Sequence, residues 1–384
     1  MATSHNNTRA VQVGRVQVGG GAPVAVQSMT TTQTNDAAAT LAQIQTLFEA
    51  GCEIARVAVP GIPDADALAE IVRKSPLPII ADIHFNASLA LRAIEAGVAC
   101  VRINPGNIGG HDKTVQVVEA AKAAGIPMRI GVNMGSLPGD LRPLAVPSPA
   151  EALVRGALRE VELLESLDYR DFKISVKASD PVVMVQAYRM LADAVDYPLH
   201  LGVTEAGTPF TGSIKSAVGI GALLLDGIGD TIRVSLSAPP EEEVKVAWEI
   251  LKATGLRKNG PEMIACPSCG RADVEIVALA GAVEERLADY KDETFEVAVM
   301  GCAVNGPGEA GSADFGIAGG RFVGFLYAHG AVLKKVPQDD LVDELFAEID
   351  RWIASGRPDN RVEAKRGKAH REGASGPRMT VSGA

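Results

Sequence analysis

The chain has 384 residues, 47% hydrophobic and only 4% aromatic, with forty glycines and a formal net charge of −10. That length exceeds one ordinary core and implies two domains, or one large barrel with an addition. The negative charge argues against broad nucleic-acid binding but leaves room for a local basic pocket around a small anion. No run reaches the roughly 18 uncharged apolar residues of a membrane helix. Residues 1–10 are polar and lack the basic-then-apolar build of a secretory signal. Five cysteines, odd in number and sparse, do not make a disulfide framework. A cytoplasmic protein with reduced thiols is expected, and there a close cysteine pair points to a metal or redox site.

Residues 11–18 read as a glycine-punctuated hairpin, suited to plugging the N-terminal end of a barrel. Short β-branched runs then alternate with amphipathic Ala/Leu/Glu-rich stretches. The expected strands are 24–30, 54–59, 78–83, 99–103, 128–132, 172–176, 199–203 and 231–236. Helical stretches include 37–50, 63–74, 88–96, 149–167 and 240–254. Eight β/α units over about 230 residues predict a TIM (β/α)₈ barrel. Periodicity alone leaves a doubly wound open sheet as a rival. The barrel is favoured because polar residues gather where the runs end, which is where barrels build active sites.

Residues 255–262 look like a linker. Beyond them the pattern predicts a compact α+β domain: a strand, a CxxC turn and a helix, then strands 295–300, 315–318 and 322–327 and a last helix near 339–353. The expected organisation is therefore a barrel over 1–258, a small domain over 259–355, and a tail over 356–384 that lacks apolar periodicity and is expected to be disordered.

Strands of a packed barrel should be almost wholly apolar, yet this one carries Arg56, Arg102, Arg129, Lys177 and Arg233, one in each of five strands. Such cations are costly unless paired or bound to an anion. Together they hold enough charge for more than one phosphate, and guanidinium forks suit bidentate contact with it. Asp82, His84, Asn104, Asn133, Ser179, Glu205 and Ser235 stand at or near the same strand ends. The glycine-rich turn 105–110 and a helix start at Ser213 would add backbone N–H donors. The competing reading is that some of these cations point outward or pair internally with Asp82 and Glu205.

Cys266 and Cys269 share one tight turn, and Cys302 follows a later strand in GCAVNGPGE. Three cysteines are too few for a Cys₄ site, and Glu309 is the nearest carboxylate after Cys302. Thiolates on three irons with oxygen on a fourth would leave one iron able to exchange its ligand for a substrate oxygen. A structural zinc on three cysteines and one other ligand is the alternative. Cys52 and Cys100 lie in apolar β/α segments and read as packing residues.

CPSCGR and GCAVNGPGE, preceded by VRINPGN, RIGVN, SVKAS, GVTEAG and IRVSLS, resemble the bacterial (E)-4-hydroxy-3-methylbut-2-enyl diphosphate synthase family in motif order from about Arg15 to Trp352. The resemblance implies reductive opening and dehydroxylation of 2-C-methyl-D-erythritol 2,4-cyclodiphosphate, the penultimate step of the non-mevalonate isoprenoid pathway. It implies a [4Fe–4S] cluster on Cys266, Cys269, Cys302 and Glu309, with Glu309 yielding to substrate. Arg56, His84, Arg102, Arg129, Asn133, Lys177, Arg233 and Ser235 would hold the diphosphate. Glu205 would assist protonation and loss of hydroxyl as water, with Asp82 as a supporting acceptor. Electrons would come from reduced flavodoxin or ferredoxin. A homodimer is expected, in which the cluster domain of one subunit caps the barrel of the other. Two other classes compete: a barrel lyase or transferase for a phosphorylated or pterin-like substrate with structural zinc, and an electron-transfer or iron-sensing module on an inert barrel.

Overall fold

The computed structural model describes residues 8–104, 108–302, 310–320 and 322–358. Two compact units divide the chain, Met1–Lys258 and Asn259–Ala384.

In the first unit β1 (Val11–Val13) and β2 (Val16–Val18) form an antiparallel hairpin. Val13 and Val18 pack on Ala25, Ile54, Ile80 and Cys100, the low inward residues of four strands, and so close the N-terminal end of the barrel. The alternation then runs β3 (Ala25–Met29), α1 (Ala37–Glu49), β4 (Ile54–Ala58), α2 (Ile62–Lys74), β5 (Ile79–Asp82), α3 (Ala87–Glu95), β6 (Cys100–Ile103) and α4 (His111–Ala124). It continues through β7 (Met128–Asn133), α5 (Pro149–Ser166), β8 (Phe172–Lys177), α6 (Pro181–Ala194), β9 (His200–Leu201), α7 (Pro209–Leu225), β10 (Thr231–Ile232) and α8 (Pro240–Ala253).

The eight parallel strands lie in the order β8-β7-β6-β5-β4-β3-β10-β9. A bridge between Ile174 and Leu199, and the Thr204 N–H donating to the Ala178 carbonyl at 3.1 Å, join the two outer strands into a barrel. Helix starts are fixed locally. Asp36, Asn86 and Asp180 accept first-turn N–H groups, and prolines occupy the first turns of α2, α5, α6, α7 and α8.

Strand period sorts the side chains into two layers. Met128, Ile130, Val132, Phe172, Ile174 and Val176 belong to the large apolar cluster that the helices cover. Their neighbours in sequence, Arg129, Lys173 and Ser175, are buried as well, on the other face of the same strands. The barrel's inside is therefore polar, where ordinary barrels are filled by Val, Ile and Leu.

The second unit has β11 (Glu262–Ala265), α9 (Ile276–Leu287), β12 (Glu296–Met300), β13 (Phe315–Ala318), β14 (Val323–Ala328), β15 (Ala331–Pro337) and α10 (Leu341–Ala354), with the sheet in that order. The first three strands are parallel and the last two antiparallel. Val297, Val299, Phe315, Ile317 and Leu326 face Val283, Leu341, Leu345 and Phe346 of the helices. Ala298, Met300, Ala310, Ala318 and Tyr327 form a smaller cluster on the other side.

Three expectations need correction. The seventh and eighth barrel strands shorten to His200–Leu201 and Thr231–Ile232. Past Leu201 the chain turns toward β8, where Thr204 bonds, and at Gly202 a Cβ would lie 2.7 Å from the Arg233 carbonyl oxygen. Helix α7 opens at Pro209, four residues before Ser213, whose hydroxyl instead donates to the Pro209 carbonyl at 2.6 Å. The small domain also has a fifth strand, β15, at the sheet edge. The expected tail lies outside the described residues from 359 onward.

Candidate active site

Arg56, Asp82, Arg102 and Arg129 sit on β4, β5, β6 and β7, each at 6% exposure or less. The register places Asp82 opposite Arg102 and Arg102 opposite Arg129. Arg102 donates to Asp82 Oδ1 at 3.0 Å and to His84 Nε2 at 2.7 Å, so His84 presents an accepting nitrogen there. Arg56 lies 3.6 Å from Asp82 Oδ2, and its other contacts are with the Met29 sulfur at 2.8 and 3.1 Å. Burial alone would raise the Asp82 pKa. Arg56, Arg102 and Arg129 outweigh it and hold the carboxyl well below the usual carboxylate range.

Arg233 has its own partner. Glu243, on the first turn of α8, accepts from its Nε and Nη2 at 3.3–3.4 Å and also from Ser28 Oγ and the Leu236 N–H at 3.0 Å. Among the described residues the carboxylates that pair with these arginines are thus Asp82 and Glu243, where the competing reading had named Asp82 and Glu205. Glu243 was missed because it reads as an ordinary acid in a first helical turn.

Arg129 is different. It is fully buried, and none of its three guanidinium nitrogens has a hydrogen-bond partner among the described residues. Burial, and then Arg102, lower its pKa to about 10, which still leaves it charged at neutral pH. Lys177, half-buried at the end of β8 and opposite Asn133 in register, is lowered by burial and by four surrounding arginines. Gly131 sits between these groups. A Cβ there would come within 3.0 Å of the Arg102 guanidinium and 3.1 Å of Ser175 Oγ, so glycine preserves open space beside the cations.

Around the mouth, Asn104 is buried, Ser235 half-buried, and Ser179 and Glu205 exposed. Glu205 has φ +52°, in the left-handed region that only glycine enters freely. The chain is pinned on both sides of it, by Thr204 on Ala178 and by Ser237 donating to the Gly207 carbonyl at 2.9 Å. Of the glycine-rich turn, residues 105–107 lie outside the described residues.

In the second unit, Cys266 follows β11 and Cys302 follows β12, two adjacent parallel strands in which Ala265 pairs with Val299. Both thiols therefore emerge at the same end of the sheet. The Cys266 N–H donates to the Val299 carbonyl at 3.1 Å, and the Gly301 N–H donates to Cys266 Sγ at 3.1 Å. Cys302 is buried, Cys266 half-buried and Cys269 exposed. Among the described residues no three His, Cys, Asp or Glu side chains come together as a metal site. Glu309 lies outside the described residues; its successor Ala310 packs in the small cluster that Cys266 also touches. Free thiols, a backbone N–H aimed at one sulfur and strand ends in register are a donor set that suits a thiolate-bound cluster.

The barrel matches the family model described as the GcpE TIM-barrel domain over residues 8–248, and the second unit matches the GcpE protein C-terminal domain over 262–351. The chain belongs to the GcpE family. Relatives named 4-hydroxy-3-methylbut-2-en-1-yl diphosphate synthase (flavodoxin) include that of Geobacter sulfurreducens, 54% identical over 90% of this chain and 98% of the relative. The Frankia casuarinae protein is 56% identical over 92% and 94%, and that of Anoxybacillus flavithermus 52% identical over 90% and 95%.

In this GcpE chain, sequence reasoning missed Lys173, Ser175, His200 and Gln27, all buried. The available signal was their spacing: in FKISVK the two lysines and the serine alternate with three apolar residues, so they share one strand face.

Proposed function

We propose that the chain converts 2-C-methyl-D-erythritol 2,4-cyclodiphosphate to (E)-4-hydroxy-3-methylbut-2-enyl diphosphate in the non-mevalonate isoprenoid pathway. The carrying observation is the Arg129 guanidinium, fully buried and without a hydrogen-bond partner among the described residues, beside Arg56, Arg102 and Arg233, which two carboxylates hold in place. Leaving such a charge unpaired costs several kcal/mol, and a diphosphate would supply the missing acceptors. The name shared by the relatives supports the same reading.

Arg56, Arg102, Arg129, Lys177 and Arg233, with His84, Asn133 and Ser235, bind the diphosphate. Asp82 fixes Arg56, Arg102 and His84 in one arrangement. Glu205, on its pinned and strained turn at the mouth, delivers the proton with which the hydroxyl leaves as water. Cys266, Cys269, Cys302 and Glu309 hold a [4Fe–4S] cluster, which supplies two electrons singly and a Lewis-acidic iron when bound. The barrel over 1–258 thus serves substrate and residues 259–355 serve the cluster.

The electron donor is a reduced flavodoxin, in keeping with the relatives' name, with ferredoxin as the other low-potential candidate. The working form is a cytoplasmic homodimer in which each cluster unit serves the partner's barrel; a monomer fully active at high dilution would remove that assembly. Among the described residues no helix is long and apolar enough to cross a membrane.

The test is metal analysis of protein purified without oxygen, with spectra before and after adding the cyclodiphosphate. About four irons and four sulfides per chain, with a spectral change on addition, are expected. Stoichiometric zinc without sulfide would overturn the reductive chemistry. Glu205→Gln should keep the full cluster and lose turnover; normal turnover would take Glu205 out of the reaction.

A further inference from the structure

Lys173 is fully buried inside the barrel, and its Nζ has no hydrogen-bond partner among the described residues. It stands directly opposite Arg129 in the β7–β8 register, as Arg129 stands opposite Arg102. Three cations therefore share one level on adjacent strands, which in a sheet lie about 4.8 Å apart. The nearby carboxylates are engaged elsewhere. Asp82 holds Arg102 and Arg56, Glu243 holds Arg233, and Asp230 accepts from the Leu199 N–H and the Thr8 hydroxyl at 2.8 Å.

The other groups facing Lys173 are Cys100 from β6, Arg56 from β4, His200 from β9 and Asp230, just ahead of β10, whose oxygens are already engaged. Burial raises the Cys100 pKa, so that group remains a thiol and gives no counter-charge. Burial and the surrounding cations lower the His200 pKa well below its ordinary value, so it adds no positive charge. Arg129 keeps its proton through neutral pH, whereas a buried lysine gives its proton up more readily.

We propose that Lys173 is a positioning residue of the anion site, a cation one strand beyond Arg129 that at alkaline pH takes a proton from solvent when a diphosphate enters the barrel and returns it when the barrel empties. This rests on the diphosphate reading of the barrel. Burial, with Arg129 and Arg56 acting against the pull of Asp230, brings Lys173 down to about 8 in the unliganded chain. A bound anion raises that value. Binding therefore gains about tenfold per pH unit from this group as pH falls from the liganded pKa to about 8, and little below that.

Inorganic pyrophosphate is the probe, titrated calorimetrically into the anaerobically purified full chain between about pH 7 and 9.5, in buffers of different ionisation enthalpy. Pyrophosphate's own protonation and that of Lys177 are common to all variants and cancel on comparison. Lys173→Met should bind about tenfold more weakly at pH 7 and take up about one proton fewer at pH 9. Lys173→Arg should keep the neutral-pH affinity and lose about one unit from the slope of log Kd against pH. The arginine variant carries the test alone if the methionine variant does not fold. Wild-type proton counts and wild-type slope in a folded variant would overturn the role of Lys173. Failure of the wild-type chain itself to bind pyrophosphate would instead remove the diphosphate reading, before any variant is made.

Discussion

The two units carry their candidate groups on parallel strands, but in opposite relation to their apolar cores. In the barrel the proposed anion-binding residues occupy the space inside the strands, while the apolar core lies between strands and helices. Arg56, Asp82, Arg102 and Arg129 fill the space where a barrel normally packs aliphatic layers. In the C-terminal unit the sheet keeps an apolar core of its own, Val297, Val299, Phe315 and Ile317 beneath two helices, and carries its thiols beyond the strand ends. Substitutions in the barrel should therefore change stability and function together, whereas substitutions at the thiols should separate them.

The widest separation is expected at Cys302. Cys302→Ser should abolish bound iron and reduce turnover to background while leaving the thermal unfolding of the apoprotein within about 1 kcal/mol of wild-type apoprotein, because a near-isosteric change beside a strand end opens no cavity. Iron content, turnover and calorimetric melting test this together. A collapse of the apoprotein fold would show that the thiol belongs to the core after all.

Asp82 should behave in the opposite way. Asp82→Asn removes the carboxylate from between Arg56 and Arg102 and leaves both with uncompensated buried charge, a loss of about 3–5 kcal/mol, along with substrate binding. The pH dependence has a definite sign. Because the folded-state pKa is depressed, Asp82 contributes stability that is fully present above its unfolded value of about 4 and disappears as pH falls through the folded value. Acid unfolding of the wild type should therefore steepen below about pH 4, and the variant should lose that component. Unchanged denaturant midpoints at both pH 7 and pH 3 would mean that the arginines find other partners.

A smaller coupled effect is expected at Gly131. In Gly131→Ala the new methyl meets an Arg102 guanidinium that Asp82 and His84 hold from the other side, so the neighbour cannot simply swing away. A loss of about 1–2 kcal/mol with weaker pyrophosphate binding is expected. Destabilisation with unchanged binding would place the open space outside the anion site.

The same contrast governs what could be read in the sequence. Barrel alternation was legible because outward apolar residues and inward polar ones follow a strict period of two, and CxxC with a distant third cysteine stands out in an otherwise thiol-poor chain. Lys173 escaped notice because a lysine near a strand start is usually solvated. Glu243 escaped because its pairing with Arg233, ten residues back across the turn from β10 into α8, follows no helical or strand period. Strand β15 was hidden by two lysines suited to an exposed sheet edge, and by a turn in which His329 takes φ +49° where Asn before Gly would have announced a hairpin.

The least change in stability, and the sharpest division between stability and function within the barrel, is expected at Glu205. Its side chain is exposed and its backbone is left-handed at φ +52°, between two pinned neighbours. A β-carbon in that region costs about 1 kcal/mol, partly offset in a glycine variant by the greater freedom of its unfolded chain. Glu205→Gly should therefore be more stable than wild type by up to about 1 kcal/mol, yet lose turnover with the carboxyl. Glu205→Gln keeps the backbone strain and loses only the proton, so the two variants should match in turnover and differ in melting temperature. Equal melting temperatures would show that the turn is relaxed, and the strain at the mouth would then have no part in presenting the acid.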